Sequence, residues 1–164
     1  MSVPYIVAIV VTLLVLGIGG AATKIDSWYR ERLQKPSWNP PEWVFGPAWT
    51  GILGLAAWAG VQTWNATDDE ALHTRILVLY AINILLHLAW SPLFFNLRRP
   101  DWALVELPFL WISILMLMIG LSPIVPAALW LLMPYLLWVT FAGYLNLTIV
   151  RMNDPFGNDP RNSD

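Results

Sequence analysis

The chain has 164 residues, of which 57% are apolar before its ten glycines are counted and only 12% are charged. A soluble domain reaches about 45–50% apolar with glycine included and about 25% charged, so a water-facing shell cannot be assembled here and a soluble globule is excluded. The net charge of −2 carries no message by itself.

Charge placement does carry one. Residues 1–23 have no charged side chain, nor do 43–67, 76–97 or the 44-residue run 107–150. A bilayer core takes about 20 apolar residues of helix, so the first three stretches each supply one crossing. The fourth supplies two, divided at Gly120-Leu121-Ser122-Pro123-Ile124-Val125-Pro126, where a glycine and two prolines end one helix and start another. The predicted fold is all-α: a polytopic bundle of five transmembrane helices near 3–23, 43–65, 74–97, 101–120 and 125–150. Residues 1–151 form this domain, 24–42 a structured first loop, and 152–164 a polar tail. The first segment lacks a basic leader and a small-residue cleavage site, so it reads as a helix and not as a signal peptide. Long unbroken apolar runs, in place of alternation, argue against a β-barrel. With no cysteine in the chain, disulfides and thiolate chemistry are excluded.

Five crossings put the termini on opposite sides. One face collects Lys24, Arg30, Arg32, Lys35, Arg98, Arg99, Arg151 and Arg161, while the other has Arg75 alone. The positive-inside rule then places loop 24–42 in the cytoplasm and the N-terminus outside, in a bacterial cell membrane. An outer membrane is not sorted by this rule and stays open. The few basic residues form no stripe for nucleic acid. Two histidines without cysteine leave a metal site almost no ligands, so none is expected.

The first loop is the densest feature, running from Trp28-Tyr29 to Trp38-Asn39-Pro40-Pro41 and on to Trp49. Pro36, Pro40 and Pro41 hold it extended, and Pro41-Glu42 reads as the first turn of helix two. Trp28 and Trp43 suit an interfacial belt. Trp38, in a loop too long for a mere connection, suggests a lid over the bundle. Helix three carries His87 and, three residues later and on the same face, Trp90-Ser91-Pro92. A histidine at membrane depth faces the bundle or a cavity. A structural hydrogen bond, a pocket-lining role and, last, a metal or haem ligand are its three readings. Glu106 in helix four reads as an interfacial partner for Arg98 or Arg99, with proton or substrate handling as the alternative. In helix five, Tyr135, Trp138, Ala142 and Asn146 share one stripe. Either Asn146 bonds to another helix, or the stripe walls a flat apolar ligand with a polar handle.

These motifs resemble the translocator protein family, which comprises the bacterial tryptophan-rich sensory proteins and the mitochondrial peripheral-type benzodiazepine receptors. The likeness lies in the first loop through Pro47-Ala48-Trp49, in Trp90-Ser91-Pro92-Leu93-Phe94-Phe95, and in Pro134-Tyr135-Leu136-Leu137-Trp138 to Ala142 with Leu145-Asn146. The resemblance implies a five-helix bundle, commonly a homodimer. It also implies a pocket under the first loop for porphyrins, isoquinolines and benzodiazepines. Matched by position, Trp38, Trp49, Trp90, Trp102, Trp138, Ala142 and Leu145 would line that pocket. Many relatives carry Asn where this chain has His87. The family's sterol pattern needs a Tyr where Leu147 stands, and Tyr144 lies too far from Arg151, so sterol binding is doubtful.

The leading expectation is a receptor, sensor or transporter that binds a porphyrin (protoporphyrin IX or haem) with no cofactor required. The tryptophans would supply an apolar slot, and Arg30, Arg32 and Lys35 the partners for propionates. One alternative is an enzyme degrading porphyrin with light or oxidant through Trp49 and Trp138. Another is a structural or regulatory partner of a second membrane protein.

Overall fold

The computed structural model describes residues 3–156. Five helices long and apolar enough to cross a membrane follow one another: α1 (Val3–Ala22), α2 (Glu42–Asn65), α3 (Glu70–Ser91), α4 (Pro100–Leu121) and α5 (Ala127–Asn153). The chain is an integral, multi-pass membrane protein. The tail beyond residue 156, with Arg161, lies outside the described residues.

Helix ends follow local chemistry. α3 begins at Glu70, four residues earlier than the expected span near 74–97, because Asp69 caps it: its carboxylate accepts from the N–H groups of Ala71 at 2.8 Å and Leu72 at 3.4 Å. Pro92 ends α3 as an α-helix and starts a π-helical turn (Pro92–Asn96), closed by the Leu97 N–H on the Pro92 carbonyl at 2.9 Å. A second such turn occupies Trp28–Arg32 in the first loop. α5 starts after Pro126 and continues to Asn153, so residues 151–153 extend the helix instead of opening the tail.

α4 is the central element, packed between α3 and α5, while α2 lies between α5 and α1. Ala103, Leu107, Leu110, Ile114, Leu117 and Leu121 repeat by four and three along α4, and all are buried. α5 answers with Ala128, Leu132, Tyr135, Val139, Asn146, Ile149 and Asn153, again all buried. Ala142 occupies the missing step of that repeat, is only half-buried, and has the smallest side chain on the inner half of the seam. A heptad seam filled by Val, Tyr and Asn on either side is therefore left open there. α1 buries only Val15 and otherwise presents aliphatic side chains outward, as a helix bathed in lipid does.

Candidate functional site

The gap at Ala142 is part of an open cavity of about 420 Å³ lined by residues of α1, α2, α3, α4 and α5. A smaller recess of about 100 Å³ continues from it toward the first loop, and Trp49, Trp90, Ser91 and Ala142 border both. Trp49 on α2 is the hub of the larger space. Its ring meets His87 edge-on at 4.6 Å, Tyr135 at 6.0 Å and Trp138 at 6.2 Å between centroids. Such perpendicular contacts are the favoured aromatic geometry and hold the walls rigid. α1 contributes Gly19 and Gly20, where an added methyl group would meet nothing within 4 Å.

The structure brings together Trp49, His87, Trp90, Trp138 and Ala142 around the main cavity, and Leu145 and Asn146 around the recess. It does not bring Trp38 or Trp102 to either lining. Trp38 stacks on Tyr144 at 5.4 Å and stays 42% exposed. Trp102 is 50% exposed beneath the Arg99 guanidinium, 4.4 Å from the ring centroid. With its amide turned to suit both neighbours, Asn146 donates to the Pro100 carbonyl at 3.1 Å and accepts from Leu104 N–H at 3.2 Å. It ties α5 to the first turn of α4 while bordering the recess.

The first loop is not a loose flap. Trp28 and Tyr29 are buried, at 1% and 5% exposure, wedged against Phe94 and Phe95 of the second π turn. Asp26 accepts from Tyr29 N–H at 3.1 Å and pairs with Arg98 at 3.4 Å. Desolvation pushes the Asp26 carboxyl up, but those hydrogen bonds and the Arg98 charge outweigh it and hold the group below its ordinary value. The later half of the loop, with Pro36, Pro40 and Pro41, runs over the recess, which Tyr29 and Asn39 border. Arg30 makes a two-point contact with Glu42, 3.2 Å from Nε to Oε1 and 2.9 Å from Nη2 to Oε2. Lys35 donates to the Tyr29 carbonyl and lies 4.1 Å from that ring's centroid. Partial burial holds the Lys35 ammonium below its ordinary value. Arg30 and Lys35, both expected to await propionates, are thus engaged within the protein.

The expectation for Glu106 is corrected. Arg98 pairs with Asp26, and Arg99 makes a bidentate contact with Asp101, two residues along. Both Glu106 oxygens are buried without a hydrogen-bond partner among the described residues. Glu106 lies seven residues before Ser113, which bonds to Asn83, and so on the face of α4 that meets α3. Asn83 itself was missed. Its signal was available, since Asn83, His87 and Trp90 are spaced four and three apart on one helix face.

A sequence model of the TspO/MBR family matches residues 6–152. The chain belongs to the TspO/MBR family. It is 40% identical to "Tryptophan-rich protein TspO" of Chlorobaculum tepidum over 143 residues, covering 85% of this chain and 90% of that one. It is 34% identical to "Tryptophan-rich sensory protein" of Cereibacter sphaeroides, covering 82% of each. With "Translocator protein" of Bos taurus the identity is 35%, over 89% of each chain. The match takes in both π turns, every residue lining the cavity and the recess, and all five helices apart from the first three residues of α1 and the last of α5.

Proposed function

We propose that the protein is a membrane receptor or carrier for porphyrins and similar flat apolar ligands. The carrying observation is the cavity: a space of about 420 Å³, within the size range of small-molecule sites, walled by Trp49, Trp90 and Trp138 and joined to a recess below the loop. A planar ring gains from aromatic walls by stacking, and a polar edge finds Thr23, Ser91 and Asn39 toward the loop. The Arg30–Glu42 and Lys35–Tyr29 contacts lie at the same end, where propionates would exchange one partner for another. The charge asymmetry supports a bacterial cell membrane with the loop in the cytoplasm. The outward-facing Gly17 and Ala21 of α1, one turn apart, suit close approach in a homodimer.

Titration of the purified protein with protoporphyrin IX, haem and a sterol tests this reading, following tryptophan quenching in dark and light. Saturable quenching by both pigments at one site per chain is expected. Quenching that is linear and identical to that of free tryptophan rules the receptor out. A second reading, oxidative porphyrin degradation, has the Trp49–Trp138 contact in its favour. Catalytic, light-dependent loss of pigment absorbance would select it.

A further inference from the structure

Two buried polar side chains share one level of the seam between α3 and α4. Asn83 Nδ2 donates to Ser113 Oγ at 2.8 Å, which fixes the register of these antiparallel helices. Trp90 lies seven residues after Asn83 and Glu106 seven before Ser113. Each therefore returns to the seam at the same height, about 10 Å along the helix axes. Gly120, seven residues after Ser113, keeps the same register at the other end, where it lies against Leu79 and Arg75. The π turn at Pro92–Asn96 begins after Trp90 and leaves this pairing undisturbed.

Trp90 Nε1 and both Glu106 oxygens are buried and without a hydrogen-bond partner among the described residues. Trp90 borders the cavity and the recess, but its buried N–H is not offered to either. A donor and a carboxyl left unpaired at this depth carry a desolvation cost that apolar packing does not offset. One water between them removes it, accepting from the indole and donating to the carboxyl. Its three polar neighbours fall within the range of about two to four that a buried water uses. What the indole holds is the first loop. The Trp90 ring stacks on Phe94 at 5.0 Å, Phe94 meets Trp28 at 6.4 Å, and Phe95 meets Tyr29 at 5.4 Å. Fixing Trp90 therefore fixes the surface against which that loop is wedged.

We propose that Glu106 and Trp90 bind one buried water between α3 and α4, and that Glu106 is through it a positioning residue for the indole that backs the first loop. The site is independent of what the cavity takes up.

NMR of the full chain in detergent, with nitrogen-15 in its eleven tryptophan indoles, tests this. The Trp90 signal is assigned through its contacts with Phe94, so the wild type alone already decides on the water. Its indole N–H should show a cross-peak to a long-lived water and exchange slowly with solvent. A wild type without that cross-peak overturns the site. In Glu106→Leu the cross-peak should vanish and the exchange quicken roughly tenfold, the size of one hydrogen bond. Glu106→Gln, which keeps an acceptor oxygen, should restore both. A Trp90 signal unchanged in Glu106→Leu overturns the positioning role. The amides of Trp28 to Leu33 should lose protection in Glu106→Leu and regain it in Glu106→Gln, and equal protection in all three proteins overturns the link to the loop. Thermal unfolding adds a readout that general packing would not move. Glu106→Leu should cost more stability in the wild type than in Trp90→Phe, because only the wild type has an indole N–H to leave unpaired. Equal costs in the two backgrounds overturn the pairing.

Discussion

Gln34 and Asn153 exchange two hydrogen bonds across 119 positions of sequence: Gln34 N–H donates to Asn153 Oδ1, and Asn153 Nδ2 donates to the Gln34 carbonyl, each at 2.8 Å. Asn153 Nδ2 also donates to the Ile149 carbonyl at 2.8 Å. The last residue of α5 therefore reads the backbone of the first loop and fixes its height above the recess. Because Gln34 contributes only main-chain atoms, its own side chain is dispensable. Asn153→Ala should weaken the loop's attachment by about 1–3 kcal/mol, the cost of leaving buried polar groups unpaired. Gln34→Ala should leave it intact. Hydrogen exchange of the amides from Tyr29 to Asn39 distinguishes the two, and equal protection in both variants contradicts the clamp.

The loop also has an acid-sensitive anchor. Asp26 holds Tyr29 N–H and Arg98, and its carboxyl sits below the ordinary aspartate value. A group depressed on folding contributes stability that is complete above its unfolded value and is lost as pH falls through the folded one. Loop protection should therefore be flat at neutral pH and decline only in strong acid. Asp26→Asn should remove that decline and lower protection at neutral pH. Loss of protection between pH 6 and 8 in the wild type would assign the effect to another group.

The five spans were legible because charge-free runs of bilayer length leave few alternatives, and the place of Ala142 beside the cavity was legible because it is the one small residue on the stripe Tyr135, Trp138, Ala142 and Asn146. The extra turn of α3 was legible too, in Asp69-Glu70, but hydropathy concealed it, since a capping turn is polar. Trp28 and Tyr29 could not be read. Their spacing fits an interfacial belt equally well, and only the π turn at Pro92–Asn96, which presents Phe94 and Phe95 to them, makes them a wedge. Glu106 failed for a similar reason. Nearby arginines in sequence suggested partners, but Asp101 and Asp26 lie closer in space and take both.

Orientation follows from the eight-to-one division of basic residues and is open to direct labelling. Gln34 and Asp68 are both exposed, on opposite ends of the bundle, and neither side chain caps a helix. Single cysteines at these positions are treated with an impermeant thiol reagent in intact cells after the outer membrane is permeabilised. Asp68→Cys should react and Gln34→Cys should not. The reverse pattern inverts the topology.

The proline-rich half of the loop should govern ligand release more than helix assembly. Pro40 and Pro41 lie just ahead of α2, and Pro41 is the residue that precedes its first turn. Replacing both with Ala enlarges the conformational freedom of the segment without touching the buried seam. Helix content should be retained, while porphyrin dissociation accelerates because the closed arrangement is no longer ordered in advance. Unchanged dissociation with a demonstrably mobile loop would refute the lid role.

Trp138 and Ala142 lie one turn apart and border the same cavity, so their volumes should act in opposite directions. Trp138 meets Trp49, Phe45 and Phe141 with its ring. Trp138→Ala removes a wall whose stacking is worth about 0.5–1.5 kcal/mol beyond the area it buries, so porphyrin affinity should fall by roughly tenfold or more. Ala142→Phe fills the vacant step of the α5 seam and should block the slot with Trp138 still in place. If the open step is a site, this second change costs binding and little stability, because the added ring enters existing space instead of overpacking a core. If the step is only imperfect packing, the added ring raises the melting temperature and porphyrin binds as before. Dissociation constants and thermal unfolding of both variants in one detergent separate these outcomes: tight binding with altered melting would reduce the stripe to a packing seam.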